Sequence, residues 1–421
     1  MQIITLAPGI TLRCFPSSLF KQSALTIQFL DTMCRERASL NALLPAVLLR
    51  GCRTAPDMRA ITLKLDDLYG AAVGALSRRV GDYQATGLSC GFIEDAYTLE
   101  EDGILAPTLE FLTQLLLEPV LEEGVFCKDF VENEKKNLIS AIESTRNNKR
   151  TYANMQLLKA MCREDSFGIP QYGEPEQVAA ITAESLYAHY QQVLSTCPVN
   201  IFYVGSAQPE KVADLLMPLA NRLAGVRKAL PAQTPFTSCP GSHSREKMAV
   251  TQGKLCMGYV TDITIRDERF AAMQVLNTVL GGGMTCKLFM QVREKLSLCY
   301  DIHSAYHGSK GLVIVNAGID FDREEQVRQE VEHQLQLCKG GQITPQELAA
   351  AKEQLISQLQ AVHDSPGAIE NYYATGALSG MHMTPKDYEQ AVQAVTAQAV
   401  QKAAQTLQLH SSYFLTGEDT Q

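Results

Sequence analysis

Residues 180–206, AITAESLYAHYQQVLSTCPVNIFYVGS, and residues 394–417, AVTAQAVQKAAQTLQLHSSYFLTG, share one layout. In each segment a threonine precedes a helical stretch, and a strand that closes on a glycine follows it. Thr182 and Thr396 stand where a helix N-cap is expected, because a threonine hydroxyl accepts a hydrogen bond from the first helical turn. The two segments lie about half the chain apart, which is the separation that an internal duplication would give.

A second pair of segments repeats in the same order. LDDLYGAAVGALSRRVGDYQATGLSCGF, from residue 65, and EKLSLCYDIHSAYHGSKGLVIVNAG, from residue 294, both indicate a helix end, a strand, a turn and another strand. Units of this kind recur by chance, but two of them in the same order favour a duplicated domain. We predict an α+β fold of two tandem homologous domains, each a largely antiparallel sheet covered by helices and joined by a linker.

The boundary between the two halves is visible in the composition. Residues 223–245 contain three prolines, several serines and threonines, and little apolar periodicity, which is typical of an extended linker. We therefore predict an N-terminal domain over residues 1–222 and a C-terminal domain over residues 246–421. Apolar residues at helical spacing predict helices over 105–118, 128–146, 266–280 and 323–338.

Composition and charge argue against several classes of function. The net charge of −9, without a dense basic run, disfavours nucleic acid and anionic membranes as partners. No window approaches the roughly 18 uncharged apolar residues of a spanning helix, and MQIITLAPGITLRCF lacks the layout of a signal peptide. Twelve cysteines without a C-x-x-C pair are typical of reduced, mostly buried thiols. We expect a cytoplasmic protein.

Three consecutive glycines at 281–283 lie between two helical stretches. A phosphate-binding loop would need a preceding strand and a Lys-Ser/Thr ending, and both are missing. A helix-to-helix turn that requires positive φ explains the glycines better. Such a turn would also let a substrate backbone come close.

His303 and His307 are the histidines with the most suggestive spacing. Four residues apart on a helix, they would share a face and could bind a metal ion. Their segment alternates like a strand, however, and we expect the two rings to face opposite ways. We predict no metal site there.

The passage from residue 281, GGGMTCKLFMQVREKLSLCYDI, resembles a signature of the pitrilysin/insulinase-type metallopeptidases. The family reads Gly-Gly-Gly-Met-Ser-Ser-Arg-Leu-Phe, then Val-Arg-Glu-Lys, then Leu-Ala-Tyr. LAPGITLRCFPSSLFKQSALTIQFL resembles its first hairpin, and QYGEPEQVAAITAESLYAHYQQ with VNIFYVGS resembles the end of its first domain. The resemblance covers nearly the whole chain and implies tandem α+β domains.

Active members of that family carry a His-x-x-Glu-His zinc motif on a helix near the N-terminus. Its histidines bind zinc and its glutamate is the general base. Counted back from Arg50-Gly51, the matching positions here are Ala42, Pro45 and Ala46, which can neither bind zinc nor accept a proton. Glu132, in ENEK, matches the family's third ligand, and we interpret it as a remnant or a structural residue. The resemblance therefore implies no metal in this chain.

Arg293 and Tyr300 match the family's arginine–tyrosine pair, including its seven-residue interval. In the family these side chains bind and polarise the scissile carbonyl opposite the zinc. A guanidinium and a phenol O–H are fixed donors suited to stabilising an oxyanion. Without the resemblance, an exposed helical arginine and a half-buried strand tyrosine would be the ordinary interpretation of the two residues.

The resemblance implies a zinc-less subunit of a heterodimeric peptidase. The partner, a homologous His-x-x-Glu-His subunit, would hold the zinc, while Arg293 and Tyr300 bind the peptide carbonyl and Gly281, Gly282 and Gly283 line the substrate path. We expect no cleavage by the chain alone, which by itself could form a homodimer. Two alternatives remain open: a structural subunit without catalytic duty, and an independent peptide-binding module of the same fold.

Overall fold

The computed structural model describes residues 1–99, 103–237 and 239–418; Ser238 of the predicted linker and the last three residues of the predicted C-terminal domain lie outside them. The elements of the first half are β1 (Gln2–Ala7), β2 (Ile10–Pro16), β3 (Gln22–Thr32), α1 (Arg35–Leu48), α2 (Met58–Asp67), β4 (Ala72–Val80), β5 (Tyr83–Ile93), α3 (Leu105–Leu117), β6 (Leu121–Glu122), β7 (Val125–Phe126), α4 (Lys128–Asn147), α5 (Lys149–Met161), α6 (Pro175–Ala179), α7 (Ala183–Thr196), β8 (Val199–Gly205) and α8 (Pro209–Arg222). Those of the second half are β9 (His243–Met248), β10 (Gly253–Val260), α9 (Phe270–Gly281), β11 (Cys299–His307), β12 (Leu312–Ile319), α10 (Glu324–Lys339), α11 (Pro345–Gln360), α12 (Pro366–Ser379), α13 (Pro385–Ala394), α14 (Ala397–Thr406) and β13 (Gln408–Gly417).

The sheet of the first half has six strands in the order β1-β2-β8-β3-β5-β4. Neighbouring strands are antiparallel except for β2 and β8, which are parallel. Along β3, Leu25, Ile27 and Phe29 are buried in the main hydrophobic core, because alternate residues of a strand face the same side. Leu43 of α1 and Leu112 of α3 belong to the same core, so helices cover this face of the sheet.

The sheet of the second half has five strands in the order β11-β12-β10-β13-β9. Strands β9, β13, β10, β12 and β11 take the places of β2, β8, β3, β5 and β4, and the pair β9–β13 is again the parallel one. The first sheet has β1 as an additional edge strand. The common topology confirms the predicted duplication and the α+β class.

The two threonines of the repeat cap helices as predicted. The hydroxyl of Thr182 accepts a hydrogen bond from Ser185 N (3.2 Å) at the start of α7, and that of Thr396 accepts one from Ala399 N (3.2 Å) at the start of α14. The strands that follow, β8 and β13, end at Gly205 and Gly417. The four helices predicted from apolar spacing are confirmed as α3, α4, α9 and α10.

The chain divides into two compact units, each built from several stretches of sequence. One contains residues 1–143, 170–232 and 363–375, and the other contains residues 144–169, 233–362 and the chain from Gly376 onward. In the second unit, Tyr152 and Leu157 of α5 pack with Cys256 and Ile314 of its sheet. The domain limits at residues 222 and 246 remain a prediction.

The cysteines are free thiols, and all except Cys34 are buried. Burial raises the pKa of Cys90 and Cys256 to about 12, because the thiolate loses its hydration. The prediction of reduced, mostly buried thiols is therefore confirmed. No helix among the described residues is both long and apolar enough to cross a membrane.

Candidate functional site

The positions that match the zinc motif lie on helix α1. Ala42 and Pro45 are buried and Ala46 is half-buried. None of their side chains carries an atom that can coordinate a metal ion, whereas a zinc site needs about three nitrogen, oxygen or sulfur ligands. Within residues 1–99, 103–237 and 239–418 there is no group of three His, Cys, Asp or Glu side chains arranged to hold a metal ion.

Pro45 lies inside helix α1, where a proline removes one backbone hydrogen bond. The carbonyl that loses its usual partner is that of Asn41, four residues earlier. Thr86 of β5 supplies the replacement, because its hydroxyl donates a hydrogen bond of 2.6 Å to Asn41 O. Thr86 is buried, so water does not have to satisfy this carbonyl. Pro45 is thus accommodated inside the helix by a side chain of the sheet.

We expect Thr86→Val to lower the free energy of unfolding by about 1–3 kcal/mol, since it leaves a buried carbonyl without a donor. In a Pro45→Ala background the same change should cost less than half as much, because the alanine that replaces the proline has a backbone N–H that can bond Asn41 O. Urea denaturation of the four proteins in this double-mutant cycle measures the difference. Equal costs in both backgrounds would contradict the account.

A polar network lies beside the same helix. Asn41 Nδ2 donates to Gln84 Oε1 (3.0 Å), and Asn41 Oδ1 lies 2.7 Å from His189 Nε2. Because Oδ1 can only accept, Nε2 carries a proton and donates a hydrogen bond to Asn41. Burial lowers the pKa of His189 to about 4, which keeps it neutral. This histidine is a satisfied structural residue.

Glu132 on α4 accepts a hydrogen bond from Lys135 Nζ (2.8 Å), one helical turn along. The ammonium group of Lys135 also donates to Ile181 O (2.7 Å), and this lysine is buried. The next carboxylate on the helix, that of Glu134, pairs with Arg50 at 2.7 Å. Glu132 therefore takes part in a structural ion pair.

The three glycines end helix α9, but the expectation of positive φ is wrong for them. Gly282 has φ −87°, and positive φ values occur at other glycines. Close packing explains Gly281, since an added Cβ would lie 2.6 Å from Ser304 N. It also explains Gly283, where a Cβ would lie 2.2 Å from Gln354 Oε1. Backbone atoms therefore leave no room for a side chain at Gly281, whereas a side chain at position 283 would have to displace the end of Gln354.

Helix α11 holds the segment that follows α9 at two points. Gln354 Nε2 donates to Gly282 O (2.6 Å), and Lys287 Nζ pairs with Glu347 Oε1 (2.8 Å). Lys287 is buried, and between the two contacts Met284 is 76% exposed. The glycine segment is therefore held in place with an exposed tip. The assignment of Gly281, Gly282 and Gly283 to substrate binding remains a prediction.

Arg293 lies in a π-helix over Phe289–Lys295. Short π-helical stretches are rare and are frequently found at functional sites. The guanidinium of Arg293 stacks 4.7 Å from the ring centroid of Phe289, and its Nε lies 3.7 Å from Glu294 Oε1. Among the described residues it donates no hydrogen bond to a protein acceptor. The ring of Phe289 thus orients the guanidinium of Arg293, and its N–H donors remain available for a ligand.

Tyr300 lies on a β-bulge near the start of β11. The ladder pairs Cys299 with Ile319 and then Asp301 with Gly318, so Tyr300 is the extra residue. A bulge redirects a side chain out of the regular strand, and Tyr300 is 58% exposed. Its hydroxyl donates to Asp320 Oδ1 (2.8 Å), and this hydrogen bond raises the pKa of the phenol.

The chain folds back between Arg293 and Tyr300. Ser297 N donates to Arg293 O (3.2 Å) and Leu298 N donates to Val292 O (2.9 Å), so the chain folds back as the π-helix ends. Ser297 has φ +51°, a left-handed conformation that a non-glycine residue seldom adopts. Arg293 and Tyr300 therefore flank an exposed turn, and the chain from one to the other has three irregular backbone features: the π-helix, the left-handed Ser297 and the bulge at Tyr300.

A cleft of about 800 Å³ lies on the first sheet. Gly74, Ser89 and Gly91 leave room above its strands, and Arg78 and Glu370 border it. Glu370 is 4% exposed and accepts hydrogen bonds from Arg78 Nη2 (2.9 Å) and from two polar side chains of β3. No sequence pattern pointed to this cluster.

His303 and His307 both lie on strand β11, as the alternation predicted. The expectation that their rings face opposite ways is wrong, because residues four apart on a strand point to the same side. They are separated by roughly 13 Å along the strand, too far to share one metal ion.

Comparison with known proteins shows what the chain is similar to. Residues 180–355 match the sequence profile described as the peptidase M16 inactive domain. The probable inactive metalloprotease YmfF of Bacillus subtilis is 29% identical over 98% of this chain and 96% of its own length. Residues 180–355 thus match an M16 peptidase domain, and a probable inactive metalloprotease matches nearly the whole chain. The resemblance to pitrilysin/insulinase-type peptidases is thereby confirmed.

A further relative and two solved structures agree with this similarity. The uncharacterized zinc protease YmxG of Bacillus subtilis is 26% identical over 68% of this chain and 71% of its own. A conserved protein from Enterococcus faecalis is 28% identical, with a TM-score of 0.92 and coverage of 100% and 99% of the two chains. A peptidase M16 inactive domain from Pseudomonas fluorescens has a TM-score of 0.83 at 18% identity, which shows the same fold.

Three side chains with long-range contacts, two in the region of residues 281–300 and one in the cleft on the first sheet, were not found from the sequence. Asp320, Gln354 and Glu370 contact Tyr300, Gly282 and Arg78 across 20, 72 and 292 residues of chain. Contacts of this length leave no local pattern. Of the three, only Asp320 had a recognisable sequence signal, because it directly follows a buried strand.

Proposed function

We propose that this M16-family chain is the non-metallated subunit of a heterodimeric zinc peptidase. Arg293 and Tyr300 bind and polarise the peptide carbonyl at the zinc site of a homologous partner. The observation that carries the proposal is an exposed arginine–tyrosine pair on irregular backbone in a chain whose zinc positions are Ala42, Pro45 and Ala46.

The two side chains suit a carbonyl oxygen. Arg293 offers several N–H donors in a fixed plane, and Tyr300 offers one O–H donor. As the carbonyl carbon is attacked, its oxygen gains negative charge, and donors already in position stabilise that charge without reorganising. The stacking of Arg293 on Phe289 limits the movement of the guanidinium and supports this role.

The remaining half of the chemistry has to come from another chain. A partner's zinc would supply the Lewis acid and the activated water that Ala42, Pro45 and Ala46 cannot supply. The partner class is a His-x-x-Glu-His homologue, and zinc proteases such as YmxG are relatives of this chain. Substrates in this scheme are peptides.

Co-expression with such a homologue tests the proposal. We expect a one-to-one complex by size-exclusion chromatography, and cleavage of a quenched fluorescent peptide library by the complex only. The zinc content should equal one ion per complex and should not depend on this chain's residues. If no complex forms, an independent binding module is favoured; if the complex cleaves equally well when Arg293 and Tyr300 are replaced, a structural subunit is favoured.

A further inference from the structure

The hydroxyl of Tyr300 is already engaged within the chain. It donates to Asp320 Oδ1 at 2.8 Å. A phenol has only one proton to donate, so a hydroxyl that points at Asp320 cannot donate to a second acceptor. In this state the hydroxyl of Tyr300 can only accept a further hydrogen bond, whereas a carbonyl oxygen has to be bound by a donor.

Asp320 is a strong competitor for this proton. Hydrogen bonds to a charged acceptor are shorter and roughly twice as strong as neutral ones, and a peptide carbonyl is neutral before attack. The raised pKa of Tyr300, caused first by this hydrogen bond and then by the negative charge of Asp320, keeps the phenol protonated. The donor is preserved, but it is held away from substrate.

The backbone allows the phenol to change partners. Tyr300 is the extra residue of the bulge and has no ladder partner on β12. Asp320 directly follows β12 and precedes a short 3-10 turn over Phe321–Arg323. Among the described residues the carboxylate of Asp320 makes no hydrogen bond other than that with Tyr300, so little else depends on it.

We propose that Asp320 is a positioning residue that holds Tyr300 in a resting orientation and must be displaced by the substrate carbonyl. This inference rests on the proposed function. On binding, the hydroxyl of Tyr300 turns from Asp320 to the carbonyl oxygen; one hydrogen bond is exchanged for another and no proton is transferred. Asp320 thereby weakens the binding of peptides whose carbonyl is poorly aligned.

The kinetic test uses the assembled heterodimer with Asp320→Asn and Asp320→Ala. We expect kcat/KM to rise roughly three- to tenfold, mainly through a lower KM, because the substrate no longer has to break the resting hydrogen bond. Asp322→Asn is the matched control, since Asp322 is an exposed carboxylate two residues away without a contact to Tyr300. It should leave kcat/KM unchanged.

A second measurement detects the contact between Tyr300 and Asp320 without an activity assay. The chain alone is labelled at the tyrosine ring carbon that bears the hydroxyl, and NMR follows the ionisation of Tyr300 as the pH is raised. The signal of Tyr300 is assigned as the one that is missing in Tyr300→Phe. Asp320→Asn should lower the pKa of Tyr300, and Asp322→Asn should leave it unchanged. An unchanged Tyr300 titration in Asp320→Asn would overturn the proposal.

The two levels of inference can fail separately. If Tyr300→Phe abolishes cleavage but Asp320→Asn lowers kcat/KM or leaves it unchanged, the resting contact is wrong while the heterodimer proposal stands. If Tyr300→Phe leaves cleavage intact, the proposed function fails and the role of Asp320 fails with it. A rise in kcat/KM that also appears in Asp322→Asn would show a general charge effect and would overturn the specific role.

Discussion

Arg293→Ala is expected to lower kcat/KM of the assembled peptidase by about 10²–10³-fold, the effect of removing one preorganised donor from an oxyanion site. Tyr300→Phe should cause a loss of the same order, because it removes the other donor and keeps the ring. The loss should appear mainly in kcat, since charge on the oxygen develops in the transition state. Steady-state cleavage of a fluorescent peptide measures it.

Lys295→Ala is the matched control for Arg293. Lys295 is an exposed cation in the same π-helix, two residues along, and should change kcat/KM less than twofold if general charge is unimportant. Complex formation and bound zinc should be the same in all three variants. Cleavage that survives Arg293→Ala unaltered would refute the carbonyl-binding role.

Lys310→Met is expected to lower the free energy of unfolding by about 3–5 kcal/mol, because it leaves a buried carboxylate without its partner. The side chains of Lys310 and Asp165 are 0% and 1% exposed, and Nζ lies 2.9 Å from Oδ1. Asp165 also accepts hydrogen bonds from the backbone of Phe167 and Thr237. The pair therefore helps to fix the backbone at Thr237, between α8 and β9, within the second unit.

Urea denaturation followed by circular dichroism measures this effect, with two further variants as controls. Lys211→Met breaks the exposed pair with Asp95, at 3.1 Å, and should cost at most about 1 kcal/mol. Asp165→Asn combined with Lys310→Met removes both charges and should recover part of the stability. A Lys310→Met protein as stable as the wild type would contradict the importance of the buried pair.

Local patterns predicted much of the fold. The threonine before α7 and the threonine before α14 cap their helices because a cap depends on residues only three positions apart. The same holds for the helix periodicities, although α9 begins at Phe270, later than the predicted residue 266. The turn that ends with the hydrogen bond from Phe270 N to Asp267 O occupies the missing residues.

The reason for the three glycines at 281–283 could not be inferred from the local sequence. From the sequence, a run of three glycines indicated positive φ, which is an intrinsic property of the residue. In the structure the reason is the crowding of Gly281 by Ser304 and of Gly283 by Gln354, residues 23 and 71 positions away. Crowding depends on which elements pack together, so it could not be predicted from the run itself.

The amino-acid sequence was sufficient to predict the duplicated α+β architecture, which the structure confirms. It also led to the proposals that Ala42 and Ala46 replace two zinc ligands and Pro45 the general base, and that Arg293 and Tyr300 form the candidate pair. These inferences depend on residue chemistry and on short spacings. Only the tertiary structure revealed that Arg293 lies on a π-helix, that Tyr300 lies on a bulge and that its hydroxyl is held by Asp320. The physical reason is that hydrogen-bond partners and side-chain directions are set by strand pairing and packing across long stretches of chain.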